Sequence, residues 1–311
     1  MRAVSLLSRR VLAGLGDYEP RIQSLNIGRT VLAVAQLSIL VFTSWRNLFP
    51  EAPGLSDARG CDGTAHLSLW CLTSQNPQSV NVDCWIAIAV LAWVVSGYRP
   101  RWSCVPHWYI SFSMAASIFS PNGGDMVAAL VTLLIAPILL ADDRRWQWRA
   151  PTRPLPAAAR GRARALMLVL RLQVVIIYAI AGFSKLLTSS WYHGEAMSAI
   201  TQDPYFGVPG VLRKTSLLDS WFTGAALSWG TIAVELSIGC CLLGPVAFRR
   251  VAVVLTVVLH VLIMVLIGLV SFGLIMIATV VLAAEVAAPT TAVRPESRFT
   301  RREKLHAVGR L

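Results

Sequence analysis

Long apolar runs separated by short polar segments dominate this chain. The runs cover residues 28–49, 82–97, 104–119, 125–141, 165–187 and 224–244, and a last one covers 251–286. A helix that crosses a bilayer takes about 20 mostly apolar residues. The first six runs therefore each predict one spanning helix. The last is too long for one: at about 1.5 Å per residue it would reach about 54 Å, against a hydrocarbon core of about 30 Å. It should divide within Gly268-Leu269-Val270-Ser271-Phe272-Gly273, where small residues allow a tight turn. The pattern predicts an all-α, polytopic membrane bundle of eight transmembrane helices.

Composition agrees, with 55% hydrophobic and 14% charged residues and a mean hydropathy of +0.60. That excludes a soluble domain on one anchor. The net charge of +12 would suit nucleic acid, but the arginines lie between the apolar runs, so topology explains them better. Segments on the cytoplasmic side carry the Lys and Arg excess. With the N-terminus inside, the inner segments hold Arg2, Arg9, Arg10, Arg21 and Arg29, then Arg99 and Arg101, a run from Arg144 to Arg164, Arg249 and Arg250, and Arg294 to Arg310. The outer ones hold only Arg46, Arg59, Arg213 and Lys214, with Lys185 at the edge. Both termini are thus expected inside. The first 29 residues lack an apolar core followed by a cleavage site and read as a retained segment. The resulting plan is a cytoplasmic segment 1–27, a membrane domain 28–287 and a basic cytoplasmic tail 288–311. The membrane domain has halves 28–141 and 165–287 joined by a cytoplasmic loop 142–164.

The outer segment 50–81 holds Cys61 and Cys71, with Cys84 just beyond. Cysteines facing an oxidising compartment can pair, and Cys61–Cys71 is the candidate bond, weighed against no bond. His66 alone completes no zinc ligand set, and no metal site is expected. The second long outer segment, 188–223, has Trp191, Tyr192 and Trp221, which suit an interface.

The candidate chemistry lies in ionisable residues at membrane depth, which are costly unless partnered or hydrated. Arg171, Tyr178 and Lys185 are seven apart and share a helix face, and Gly182 on that face admits a close neighbour. Glu235 and His260 fall mid-run, and Asp125 opens its helix after Asn122-Gly123-Gly124. Lys185, Glu235, His260 and Asp125 could converge in the outer half. Blander readings stand beside this. Lys185 could snorkel to the headgroups. Asp125 could cap its helix. His260 could be a neutral core histidine, and Glu235 could be a structural partner of His260 or Arg171. Met114, Met264 and Met276 read as packing.

Arg171-x-Gln173-x4-Tyr178-x-Ile180-Ala181-Gly182-x2-Lys185-Leu186, followed by Trp191-x2-Gly194-x2-Met197, resembles the horizontally transferred transmembrane (HTTM) domain, which is shared with vitamin K-dependent gamma-carboxylase. Glu235, His260, Gly268 and Phe272 fit the same domain. Ser96 to Arg101, His107-Trp108, Asn122 to Asp125 and Ala141 to Trp148 are similar to the sporulation-delaying protein B group. The resemblance spans about residues 26–286. It implies maturation of a secreted peptide toxin, with a small partner protein encoded in a neighbouring gene. It also implies a catalytic role for Lys185, since the carboxylase uses a lysine there to deprotonate reduced vitamin K, and so a reduced quinone as candidate cofactor. Ser184 stands where the carboxylase has a second lysine, which points to a lipid-quinone or membrane-peptide site rather than glutamate carboxylation. Catalytic candidates are Lys185, His260 and Glu235, with Arg171, Gln173, Tyr178, Gly182, Trp191 and Asp125 binding or supporting. The expected setting is the bacterial plasma membrane, with the lipid bilayer and a small secreted peptide as partners. A quinone-linked redox or carboxylase-like enzyme acting on a lipid or peptide, and a non-enzymatic scaffold or binder for a membrane-active peptide, are the alternatives.

Overall fold

A computed structural model describes residues 18–49, 61, 63–73, 77–118, 122–202 and 220–286. Most of the N-terminal segment, the tail 288–311, and Arg59, Arg213 and Lys214 lie outside the described residues. Among the described residues there is no strand, only an isolated bridge between Tyr98 and Trp146.

Among the described residues, eight long helices follow the apolar runs. They are α1 (Gln23–Phe42), α2 (Pro77–Ser96), α3 (Pro100–Ser117), α4 (Gly123–Leu139), α5 (Ala157–Leu186), α6 (Trp221–Leu243), α7 (Val246–Ile267) and α8 (Val270–Ala284). By length and apolar composition α1, α5, α6 and α7 are long enough to cross a membrane, while α4 and α8 are shorter apolar helices. The last run divides where expected. Gly268 caps α7 at φ +80°, a backbone conformation that glycine takes without strain, and its N–H bonds Met264 O.

Two boundaries differ from the hydropathy reading. α1 starts at Gln23 rather than 28, and α5 at Ala157 rather than 165. Polar residues do not end a helix when their side chains find partners or solvent. In the first turn of α1 buried Asn26 donates to Gln147 O (2.7 Å), and next to it fully buried Arg29 donates to Gln147 Oε1 (2.8 Å) and Ser103 Oγ (2.6 Å). Arg162 stays exposed on the first turns of α5. α1 also ends early, at Phe42, and Trp45–Leu48 is a separate turn of helix.

α8 packs against α1, α4, α5 and α7, and so joins the two halves. Gly28 allows its closest approach to α1, since a Cβ there would meet Leu282 Cγ at 2.4 Å. At one end of the bundle, hereafter the basic end, the segment after α4 folds back on the α2–α3 turn. Arg99 N bonds Arg145 O (2.9 Å), Gln147 N bonds Gly97 O (2.9 Å), and Arg144 is salt-bridged to buried Asp142 at 2.6 Å. Gly97 sits at φ +75°, where a Cβ would lie 2.7 Å from Gln147 Cγ and Trp148 Nε1. Gly97→Ala should therefore destabilise the fold by about 2 kcal/mol, from left-handed strain plus displacement of Gln147. Gly230→Ala, whose Cβ meets nothing within 4 Å, is the control and should be nearly neutral. Matching unfolding midpoints for the two variants in detergent would refute this account.

At the opposite end Cys61 and Cys71 form a disulfide with Cα atoms 5.7 Å apart. Cys84 and Cys104 are buried free thiols. Ser117 Oγ lies 3.9 Å from Cys71 Sγ and donates to Ser68 Oγ (2.5 Å), so the disulfide segment is seated on α3.

Candidate functional site

α5 and α6 pack closely because both carry glycines at their contact. A Cβ on Gly182 would meet Leu236 Cδ2 at 2.7 Å, and one on Gly239 would meet Tyr178 Cβ at 3.8 Å. Gly182 thus admits a neighbouring helix. This approach brings Lys185, near the end of α5, onto Glu235 of α6. Lys185 Nζ donates to both carboxylate oxygens at 2.8 Å and to Ala181 O at 3.3 Å. It also stands 5.2 Å over the Trp191 ring, a cation–π distance. The lysine side chain is 20% and the glutamate 10% exposed. The ammonium is therefore held by fixed partners, where a snorkelling lysine would reach into the headgroups.

The short helices Ser189–Tyr192 and Ala196–Gln202 pack against the Lys185 end of α6. Gly194, at φ +79°, presses on Ala225, and Met197 N bonds Ser228 Oγ at 3.3 Å. That seating fixes Trp191 beside the ammonium.

About two turns deeper on α5, Tyr178 Oη lies 2.9 Å from His260 Nε2 of α7. Both residues are buried, and the Phe272 ring of α8 stands 5.5 Å from the imidazole. His260 Nδ1 is buried with no hydrogen-bond partner.

Asp125 forms a capping box with Asn122. Its Oδ2 accepts from Asn122 N (2.9 Å), and Asn122 Oδ1 accepts from Gly124 N (2.8 Å). Capping accounts for one carboxylate oxygen. Oδ1 is buried without a partner. A Cβ on Gly124 would meet Phe272 Cδ2 at 3.2 Å, so the first turn of α4, which carries Asp125, and His260 both approach the same aromatic ring.

Arg171 and Gln173 are not part of this grouping. Arg171 lies about 21 Å along α5 from Lys185, at 1.5 Å per residue. It bonds Ala283 O (2.8 Å) and pairs with the Glu285 carboxylate. The shared face is real, but 14 residues separate its two ends. Gln173 is half-buried, about 200° around the helix from Arg171. Glu235 partners Lys185 rather than His260 or Arg171.

Two polar groupings went unread in the sequence. One is the Glu285 cluster. The other lies between α1 and α3, where Gln36 Oε1 is 3.2 Å from His107 Nε2 and accepts from Ser111 Oγ (3.1 Å), all buried. The four-residue spacing of Ser103, His107 and Ser111 was the available signal for the second.

The HTTM domain family model matches residues 152–287, the part that carries Lys185, Glu235 and His260. The uncharacterized protein YitO of Bacillus subtilis is 32% identical over 252 residues, 79% of this chain and 80% of its own length. Sporulation-delaying protein SdpB of Bacillus subtilis is 28% identical over 261 residues, 83% of this chain and 80% of its own. No solved structure matches.

Proposed function

The chain belongs to the HTTM-domain family of multi-pass membrane proteins, and from that premise we propose that it matures or produces a secreted peptide toxin by chemistry centred on Lys185. The observation that carries this reading is the Lys185–Glu235 pair: a lysine with both carboxylate oxygens of a buried glutamate at 2.8 Å, between a tryptophan face and a helix carbonyl. The short bonds allow a proton to pass from Nζ to Glu235, leaving a neutral amine that can take a proton from substrate. Tyr178 orients the His260 imidazole, whose free Nδ1 can hydrogen-bond a substrate group or carry the proton onward. Trp191 shields the amine from water.

The pair is also what a structural ion bridge would look like, and that favours a second reading, a scaffold that binds a membrane-active peptide without reacting. Reduced-quinone chemistry on a lipid or peptide keeps the same base. Export of mature peptide separates these readings when wild type and Lys185→Met are compared in membranes matched for protein, beside the small neighbouring-gene partner. Turnover of a reduced quinone is scored in parallel. Equal output from both forms would leave the scaffold.

The topology that goes with this function has eight spans and both termini inside. It places the membrane domain at 28–287 and the basic tail at 288–311, and puts Lys185 and the disulfide on the outer side. Reporter fusions after Trp148 and after Leu311 should both read inside. An outside signal at Leu311 would remove the eight-span arrangement.

A further inference from the structure

We propose that the basic end, where the starts of α5 and α7 meet the end of α8, binds the phosphate of an anionic phospholipid. Glu285 follows α8 at φ +47°, leaving the last helix carbonyls to side chains. Arg249 Nη1 takes Ala284 O at 2.9 Å and Arg171 Nε takes Ala283 O at 2.8 Å. The buried Glu285 carboxylate pairs with Arg171, has Arg164 at 3.6 Å and Arg249 at 4.0 Å, and accepts from Tyr18 Oη at 2.6 Å. Three guanidinium groups therefore surround one carboxylate, and Arg250, next to Arg249, is exposed. Arg249 Nε is buried with no hydrogen-bond partner.

The cluster carries a surplus of two positive charges at the edge of the apolar region, before Arg250 is counted. Such a surplus is costly unless an anion balances it. A phosphate fits, because its oxygens accept paired bonds from guanidinium groups, and basic pockets between membrane helices recognise anionic headgroups in this way. A lipid is favoured over free phosphate by what lies beyond the arginines. Arg164 is 39% exposed, and Leu168, Leu172 and Ile176 continue its face of α5 at four-residue spacing, all exposed. Val254 and Val258 continue the face of Arg250 on α7 in the same manner. Each stripe begins at a cation and runs on as apolar surface, the order of headgroup and acyl chain.

The test measures lipid binding to the full chain in detergent by native mass spectrometry, with phosphatidylglycerol against phosphatidylcholine. Wild type should prefer the anionic lipid roughly 25-fold, about fivefold for each of the two accessible arginines. Arg164→Gln with Arg250→Gln should abolish the preference, and the corresponding pair of lysine substitutions should keep most of it. The wild-type comparison needs no variant to fold. Equal binding of the two lipids, a preference untouched by the glutamine pair, or displacement of the lipid by inorganic phosphate would each overturn the proposal.

Discussion

Lys185→Met is expected to lower peptide maturation by about 10²–10⁴-fold, the usual cost of losing a general base. Methionine keeps the length and the apolar stem, so packing against Trp191 survives while the ammonium is lost. The variant also leaves Glu235 without its bidentate partner, and a buried carboxylate without a cation can unfold a bundle. Lys185→Met combined with Glu235→Leu removes both charges and separates the two effects. If the pair is only structural, the double variant folds and matures peptide as wild type does. If Lys185 is the base, the double variant folds and remains inactive. Glu235→Gln alone should retain the fold better than Glu235→Leu, because its carbonyl still accepts from Nζ, yet it lacks a carboxylate to take the proton. Wild-type output from the double variant, at matched protein in the membrane, would end the catalytic reading.

How much of this was legible follows from what each signal can report. Apolar runs located the long helices and the break at Gly268, because hydrophobic length is a property of local sequence. They misplaced the start of α1, because Asn26 is satisfied by Gln147, 121 positions away, and that of α5, because Arg162 stays exposed on its first turns. Helical spacing put Tyr178 and Lys185 on one face, and the structure directs both into the bundle toward α6 and α7. Spacing does not name the partner across an interface. Glu235 was left open between His260 and Arg171, and the answer, Lys185, depends on the glycine contacts that set how α5 and α6 align. Arg171 pairs with Glu285, which lies at the very end of the last apolar run, inside the membrane domain but 114 positions from Arg171, so that no local spacing links the two. In the first half, Gln36 and His107 meet from α1 and α3, 71 positions apart; the four-residue spacing of Ser103, His107 and Ser111 marks a polar face on α3 but does not name Gln36 across it.

Glu285→Gln should destabilise the protein by about 3 kcal/mol in neutral detergent, the low end for removing one partner of a buried charged group. The carboxylate is 6% exposed and serves Arg164, Arg171, Arg249 and Tyr18 at once. Glutamine keeps the size and one acceptor, so the loss isolates charge: three guanidinium groups then face one amide oxygen and the dipoles of the Ala283 and Ala284 carbonyls, with no anion among them. Arg164 is the most exposed of the three and should turn to solvent, which is why the effect stays near 3 kcal/mol rather than at the upper end of the range. Arg171, midway along α5, and Arg249, near the start of α7, are 12% and 14% exposed and cannot follow it without disturbing the packing of both helices on the end of α8. Because Tyr18 and the α8 terminus both depend on this carboxylate, the damage should appear first as protease access at the end of α8, at the start of α7 and around Tyr18. The Lys185–Glu235 pair, about 21 Å away along α5, should remain intact at temperatures where the variant is still folded. A denaturation midpoint equal to wild type would show that the arginines are already balanced by other means and that Glu285 holds nothing in place.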